Sequence, residues 1–256
     1  MNEMLPREIQ TRFWQQWLSR TLDLIYPSHC EICGENLSAG RALCNVCDAD
    51  LPRLSKPFCE KCGEPFPGKI EEDFACPNCS KLKFSFEFCR PAMVRDDRTL
   101  EMIHRLKYSR ELHLAEDLGR LAVEAFSDPR LALALKEKWP LVPVPLHWRR
   151  RQHRHFNQAE EISRVIAQHT DLPMIKALKR SHATEHQTRL TRVQRLENLR
   201  GAFTITSAGQ RQIGKSPVGA ILVDDVLTTG STVDECAKTL RRAGFQKVAV
   251  ITVMRG

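Results

Sequence analysis

A chain of 256 residues with 42% apolar residues can bury a real core, as one large domain or a medium one with an appendage. Its net charge of +8 favours anionic partners, phosphorylated metabolites or nucleic acid, without choosing between them. No apolar run reaches the ~18 residues of a membrane span, and the N-terminus lacks a basic-then-apolar export signal, so a reducing, cytoplasmic location without a membrane span is expected.

Residues 1–26 place Ile9, Phe13, Trp17, Leu18, Leu22 and Ile25 at helical spacing. This predicts an amphipathic helix that docks on the protein's own core or on a partner, with a membrane-surface helix as the alternative.

Residues 27–82 hold eight of the ten cysteines as four CxxC pairs: Cys30/Cys33, Cys44/Cys47, Cys59/Cys62 and Cys76/Cys79. In a reducing compartment such pairs read as metal ligands. Tetrahedral Zn²⁺ takes two thiolates from each of two knuckles, so the region is expected to be a small zinc ribbon holding one or two ions. Pairing is either sequential, 30/33/44/47 and 59/62/76/79, or an interleaved cross-brace. Four thiolates leave no open position for substrate, so the zinc is structural, contributing on the order of 10 kcal/mol of folding free energy per site. The segment is rich in Pro and Gly and has too few large apolar residues for a core of its own. Cys89 and Cys236 fall in a predicted strand and a predicted helix, as small buried apolar residues.

Residues 83–256 alternate strands and helices. The pattern predicts strands at 88–94, 140–144, 203–205, 219–223 and 247–253, and helices at 99–107, 112–126, 157–169 and 231–243. That order implies an α/β domain with a mostly parallel, covered sheet.

The most informative segment is Gly219-Ala-Ile-Leu-Val-Asp-Asp-Val-Leu-Thr-Thr-Gly-Ser-Thr-Val233. An apolar strand delivers Asp224 and Asp225 to the carboxyl edge of the sheet, where α/β proteins bind ligands. The small hydroxylated run Thr228, Thr229, Gly230, Ser231 and Thr232 then opens a helix, whose free N–H groups suit a phosphate. Twin carboxylates beside that phosphate suit a sugar diol or Mg²⁺. The GK[ST] element of a Walker A loop is missing. A second feature is local charge: residues 147–200 carry twelve Lys/Arg against five acids, nearly the whole net charge.

The 219–233 segment closely resembles the PRPP-binding signature of type I phosphoribosyltransferases. Together with the CxxC pairs, Ile103-His-Arg-Leu-Lys-Tyr108, Val142-Pro-Val-Pro-Leu146, Phe156-Asn-Gln-Ala159 and Gln187…Asn198-Leu-Arg-Gly201, the chain resembles the ComF (GntX-like) family. That family joins an N-terminal zinc finger to a phosphoribosyltransferase-like domain. The resemblance covers roughly residues 27–256, so the chain is expected to comprise the amphipathic helix at 1–26, a zinc-binding domain at 27–82 and a phosphoribosyltransferase-like domain at 83–256. It also makes Asp224 and Asp225 the candidate catalytic pair on the ribose of PRPP, bound with Mg²⁺, and Thr228–Thr232 the grip on its 5-phosphate. Residues 146–157 would take the pyrophosphate-loop position, with Arg149, Arg150 and Arg154 on the diphosphate, and Lys107 would face the site. Residues 179–200 would be the loop closing over PRPP, with Thr184, Gln187, Arg189, Arg192 and Asn198 as contacts.

Two functions follow from the resemblance. One is a competence or DNA-uptake accessory protein that binds PRPP or a related ribose phosphate, with single-stranded DNA and the uptake machinery as partners. The other is an active phosphoribosyltransferase of nucleotide or nucleobase metabolism. The chain ends at Arg255-Gly256, after the last predicted strand, so a base-selecting hood is expected from residues 1–90, and the accessory reading is the favoured one. Single-strand binding interleaves aromatic with basic residues, and only Trp148 and Phe156 flank the arginines.

Overall fold

The computed structural model describes residues 29–37, 41–69, 74–147, 152, 154–181, 199–213 and 219–256. The helix expected over 1–26 lies outside these residues, as do Arg149, Arg150 and the loop residues Thr184, Gln187, Arg189, Arg192 and Asn198. The chain divides into two compact units, 1–50 and 51–256.

The described part of the first unit is a cysteine knuckle followed by a short helix. Gly34 N–H donates to the Cys30 carbonyl at 2.8 Å and Cys30 N–H to the Glu35 carbonyl at 2.7 Å. Helix α1, Asn45–Asp50, carries Cys47.

The larger unit is built on four parallel strands in the order β1-β6-β5-β2, with β1 at Cys89–Met93, β2 at Leu141–Pro143, β5 at Gly219–Leu227 and β6 at Lys247–Arg255. This is the expected α/β, mostly parallel sheet. β3, Leu178–Arg180, and β4, Phe203–Ile205, form a separate antiparallel pair. The strands of the main sheet are buried almost end to end because helices cover both faces. Leu222, Val248 and Val250 share a core with Cys236, Ala237 and Leu240 of helix α8, Ser231–Ala243. The alternate residues Ile221, Val223, Ala249 and Ile251 are equally buried and point the other way. On that face pack α4, Leu114–Val123, and α6, Gln158–Thr170.

The remaining helices are α2 at Pro77–Ser80, α3 at Asp97–His104, α5 at Ala132–Lys136 and α7 at Ser207–Ile213. Asp96 caps α3 by accepting from Thr99 N–H at 3.0 Å. The helix then widens into a single π-turn, Arg105–Ser109, before Arg110 turns out of it at φ 62°.

The second group of CxxC pairs belongs to this larger unit. Cys59, Cys62, Cys76 and Cys79 share a core with Phe86, Val142, Leu222 and Cys236. Cys89 N–H donates to the Lys61 carbonyl at 2.8 Å, and Leu54 N–H to the Ala92 carbonyl at 2.8 Å, so this ribbon is bound along β1. A side chain at Gly63 would meet the Pro91 ring at 2.3 Å, and its φ of 69° suits glycine. The segment lacked apolar residues for its own core because it shares one.

Candidate functional site

The twin acids lie within β5 rather than beyond it, because the strand runs four residues past the predicted end at Val223. β6 pairs with it as far as Leu227, whereas β2 stops at Pro143, opposite Val223. From Asp224 onward no described strand pairs with that edge of β5. Strand alternation starts the two side chains on opposite faces, and their carboxyl groups still meet in a hydrogen bond. Asp225 points to the α6 side and is 4% exposed. Asp224 is half-buried and lines a recess with Thr228–Val233.

Asp225 is held from two directions. The Lys107 ammonium, on the π-turn, forms an ion pair with its Oδ2. Gln158 Nε2 donates to its Oδ1 at 3.3 Å. Gln158 opens α6, where Asn157 is the N-cap: it accepts from Ala159 N–H at 3.1 Å and donates to the Val144 carbonyl at 3.0 Å. Arg154 donates to Gln158 Oε1 at 3.2 Å and lies 4.8 Å over the Tyr108 ring. Lys107 and Gln158 thus meet on one carboxylate from two separate elements, with Arg154 and Tyr108 stacked behind Gln158.

The two acids titrate in opposite directions. Burial, together with the Asp225 charge beside it, pushes the Asp224 carboxyl well above the usual range. Burial also acts on Asp225, but the Lys107 ammonium and the hydrogen bonds from Asp224 and Gln158 outweigh it and hold that carboxyl low.

Beyond the acids the chain turns through Thr228–Gly230 into α8. Gly230 is the helix N-cap at φ 77°, with no side chain of its own to cap the helix. Thr229 and Ser231 hydroxyls are 3.0 Å apart. Thr228 is exposed and Thr232 half-buried. The first N–H groups of α8 and these hydroxyls lie together at the carboxyl end of the sheet, an arrangement chemically suited to an anion.

The cysteines assemble as two separate groups, Cys30/33/44/47 and Cys59/62/76/79, with all four sulfurs of each within 4.8 Å of one another. This is the sequential pairing. The Cys33–Cys44 and Cys62–Cys76 sulfurs are each 3.8 Å apart. Zn–S bonds of ~2.3 Å in a tetrahedron give an edge of about 3.8 Å, so the donor set fits zinc. In the second group a hydrogen bond from Cys62 holds the Cys59 thiol down, to about 4, while burial pushes Cys79 up to about 12. Four buried thiols cannot all ionise against one another, and a divalent cation is what lets them. Both Cys₄ groups fit structural zinc ribbons.

Residues 21–82 match the double zinc ribbon domain family. Over 227 residues the chain is 31% identical to Competence protein F of Haemophilus influenzae, covering 86% of this chain and 94% of that protein. The chain belongs to the ComF family. Further members are DNA utilization protein YhgH of Escherichia coli, 30% identical over 236 residues with 91% and 99% covered, and Competence protein ComFC of Streptococcus pneumoniae, 23% over 207 residues with 77% and 87% covered. The described residues of this ComF protein include no helix long and apolar enough to cross a membrane.

Of the site residues expected from sequence, the structure brings together Asp224, Asp225, Lys107 and the loop Thr228–Thr232, and joins Arg154 to them through Gln158. Gln158 and Tyr108 were legible only as members of the blocks Phe156–Ala159 and Ile103–Tyr108. Nothing in the sequence marked Arg255 or Phe84, which also border the loop.

Proposed function

We propose that this ComF protein binds PRPP, or a related ribose phosphate, with Mg²⁺, and serves in DNA uptake and use as a DNA-handling accessory. The observation that carries the reading is one site: a helix-start anion cradle at Thr228–Thr232 with an acidic pair of split titration beside it. A phosphate dianion suits the cradle, and the carboxylates suit ribose hydroxyls and a Mg²⁺ ion bridging to diphosphate. The names of its relatives, competence protein and DNA utilization protein, favour the accessory role over a metabolic transferase.

A groove of about 490 Å³ supports the nucleic-acid part of the reading. Lys61, Lys238, Arg241 and Arg242 line it with Glu87, which pairs with Arg241 at 2.7 Å, beside the half-buried Phe84 ring. Basic groups flanking an aromatic face are what a single strand uses. Phe84 and Phe86 also line a second cavity of about 250 Å³ that reaches the phosphate loop.

Calorimetry with PRPP, with and without Mg²⁺, tests the first part. Binding that requires Mg²⁺ and is lost in the double variant Asp224→Ala plus Asp225→Ala supports it, and no binding by the wild-type protein refutes it. Filter binding of labelled single-stranded DNA across a salt series tests the second part. Salt-sensitive DNA binding without PRPP turnover is the outcome expected of the accessory. Turnover of PRPP with a nucleobase would establish the transferase instead.

A further inference from the structure

The second cysteine ribbon and the phosphate loop are joined by a single side chain. Arg255, at the end of β6, donates through Nη1 to the Leu227 carbonyl at 2.7 Å and to the Thr228 carbonyl at 2.9 Å. Its Nη2 pairs with Glu64 Oε2 at 2.5 Å. Glu64 belongs to the Cys59/Cys62 knuckle, whose turn closes by Cys59 N–H donating to the Glu64 carbonyl at 2.8 Å. Leu227 and Thr228 are the residues at which β5 becomes the loop. One planar guanidinium thus fixes the entry of the loop and takes its own orientation from the ribbon.

Two further contacts run the same way. Ser85, just after the ribbon, donates its backbone N–H to Asp234 Oδ1 in the first turn of α8 at 2.6 Å. A side chain at Gly230 would meet the Phe84 ring at 3.3 Å, so that ring rests on the loop's N-cap. The 250 Å³ cavity between them is lined on one side by Cys62, Asn78 and Cys79 and on the other by Leu227–Gly230. The ribbon thus reaches the start of the loop through Glu64 and Arg255, and the segment directly after it, Phe84 and Ser85, packs on the loop's N-cap and the first turn of α8.

We infer that Arg255, oriented by Glu64, is a positioning residue for the phosphate loop, so that the second ribbon is a working part of the phosphate site. The inference rests on the proposed ribose-phosphate reading, and it concerns how the loop is held rather than what it holds. An amide cradle binds a phosphate well only when its N–H groups already converge. Arg255 supplies that order at the loop's start without touching the ligand.

The test uses the full-length protein, Arg255→Ala, Arg255→Lys and Glu64→Gln, with ribose 5-phosphate as probe. Calorimetry is expected to show affinity about 10-fold weaker in Arg255→Ala and about 3-fold weaker in Glu64→Gln. Lysine keeps the charge without the fork, so Arg255→Lys should recover only part of the loss. Zinc content should stay at the wild-type value in all three. Hydrogen exchange should quicken at 227–233 and stay unchanged in α6. Glu64 is 43% exposed at its side chain, so Glu64→Gln carries the test should Arg255→Ala not fold. Unchanged affinity and unchanged exchange in the folded variants would overturn the inference. A wild-type protein that ignores ribose 5-phosphate overturns the proposed function instead, and exchange at 227–233 in Glu64→Gln then decides the coupling by itself.

Discussion

The Lys107 ammonium is paired with the Asp225 carboxylate, which the adjacent Asp224 carboxyl also hydrogen-bonds. The pairing is between side chains 118 positions apart, brought together where β5 loses its β2 neighbour. It makes the acidic pair asymmetric before any ligand arrives.

Asp224→Asn should therefore separate binding from stability. A carboxyl raised above its unfolded value, ~3.9, stabilises the fold below that pH and stops doing so as the pH rises through the folded value. The wild-type protein loses that contribution progressively as the pH rises above the unfolded value, whereas Asn never carries the charge. The variant should melt above the wild type at pH 7, with the gap closing towards pH 4. Its Mg²⁺-dependent affinity for PRPP should fall about 10- to 100-fold, the range for losing a charged hydrogen-bond acceptor. Scanning calorimetry and titration calorimetry on one preparation read both, and a variant that loses stability and binding together would refute the assignment.

Lys107→Met should do the reverse to stability. It leaves the Asp225 carboxylate, 6% exposed at its side chain, buried with only neutral Gln158 and its neighbour Asp224. Removing one member of a buried pair costs about 3 kcal/mol or more, which in a domain of this size lowers the melting temperature by about 6–12 °C. In the wild-type protein the depressed Asp225 pKa supplies stability above the unfolded value, lost as the pH falls through the folded one. In the variant Asp225 protonates more readily, so the deficit should shrink between pH 7 and pH 4. A deficit constant across that range would place the loss in packing rather than charge.

How far the sequence could be read depended on where each signal lay. Helix α8 and strand β4 fall on their predicted bounds, because Gly230 and Gly244 bracket one and the apolar run Phe203–Ile205 defines the other. β3 was absorbed into the polar stretch from Lys179, since a three-residue strand with one buried side chain has no period to detect. α7, Ser207–Ile213, was not expected, and a single turn or two of mixed polarity carries little signal. The loop and the twin acids were visible because their chemistry is contiguous in the chain. Lys107 and Gln158 reach Asp225 from 118 and 67 positions away along the chain, Arg255 reaches the Leu227 carbonyl from 28, and only tertiary packing reveals what they touch. The cysteine spacing gave both metal groups, yet it could not say that the second would share the core of the sheet.

Gly230→Ala tests the conformation of the cradle directly. A φ of 77° costs an L-residue roughly 1–2 kcal/mol, and the new methyl would press on Phe84 at 3.3 Å. The fold should survive with a melting temperature a few degrees lower, about 2–4 °C for each kcal/mol. Phosphate affinity should drop by more than stability does, since the N–H groups that form the cradle flank this residue. A loss of stability with phosphate affinity unchanged would mean that the anion is held elsewhere.

Cys33→Ser and Cys62→Ser should differ although each removes one ligand from a Cys₄ group. Metal analysis should give two zinc ions per chain for the wild type and one for either variant. Cys33 is an exposed residue of the smaller unit, so the main melting transition of Cys33→Ser should stay at the wild-type temperature. Cys62 is buried in the core it shares with Val142, Leu222 and Cys236. A structural zinc is worth on the order of 10 kcal/mol, comparable with the 5–15 kcal/mol stability of a whole domain. Cys62→Ser should therefore lose the cooperative transition of the larger unit or lower it by tens of degrees, and phosphate binding should go with it. Equal melting temperatures in the two variants would show that the second ribbon is an appendage rather than part of the domain that holds the phosphate.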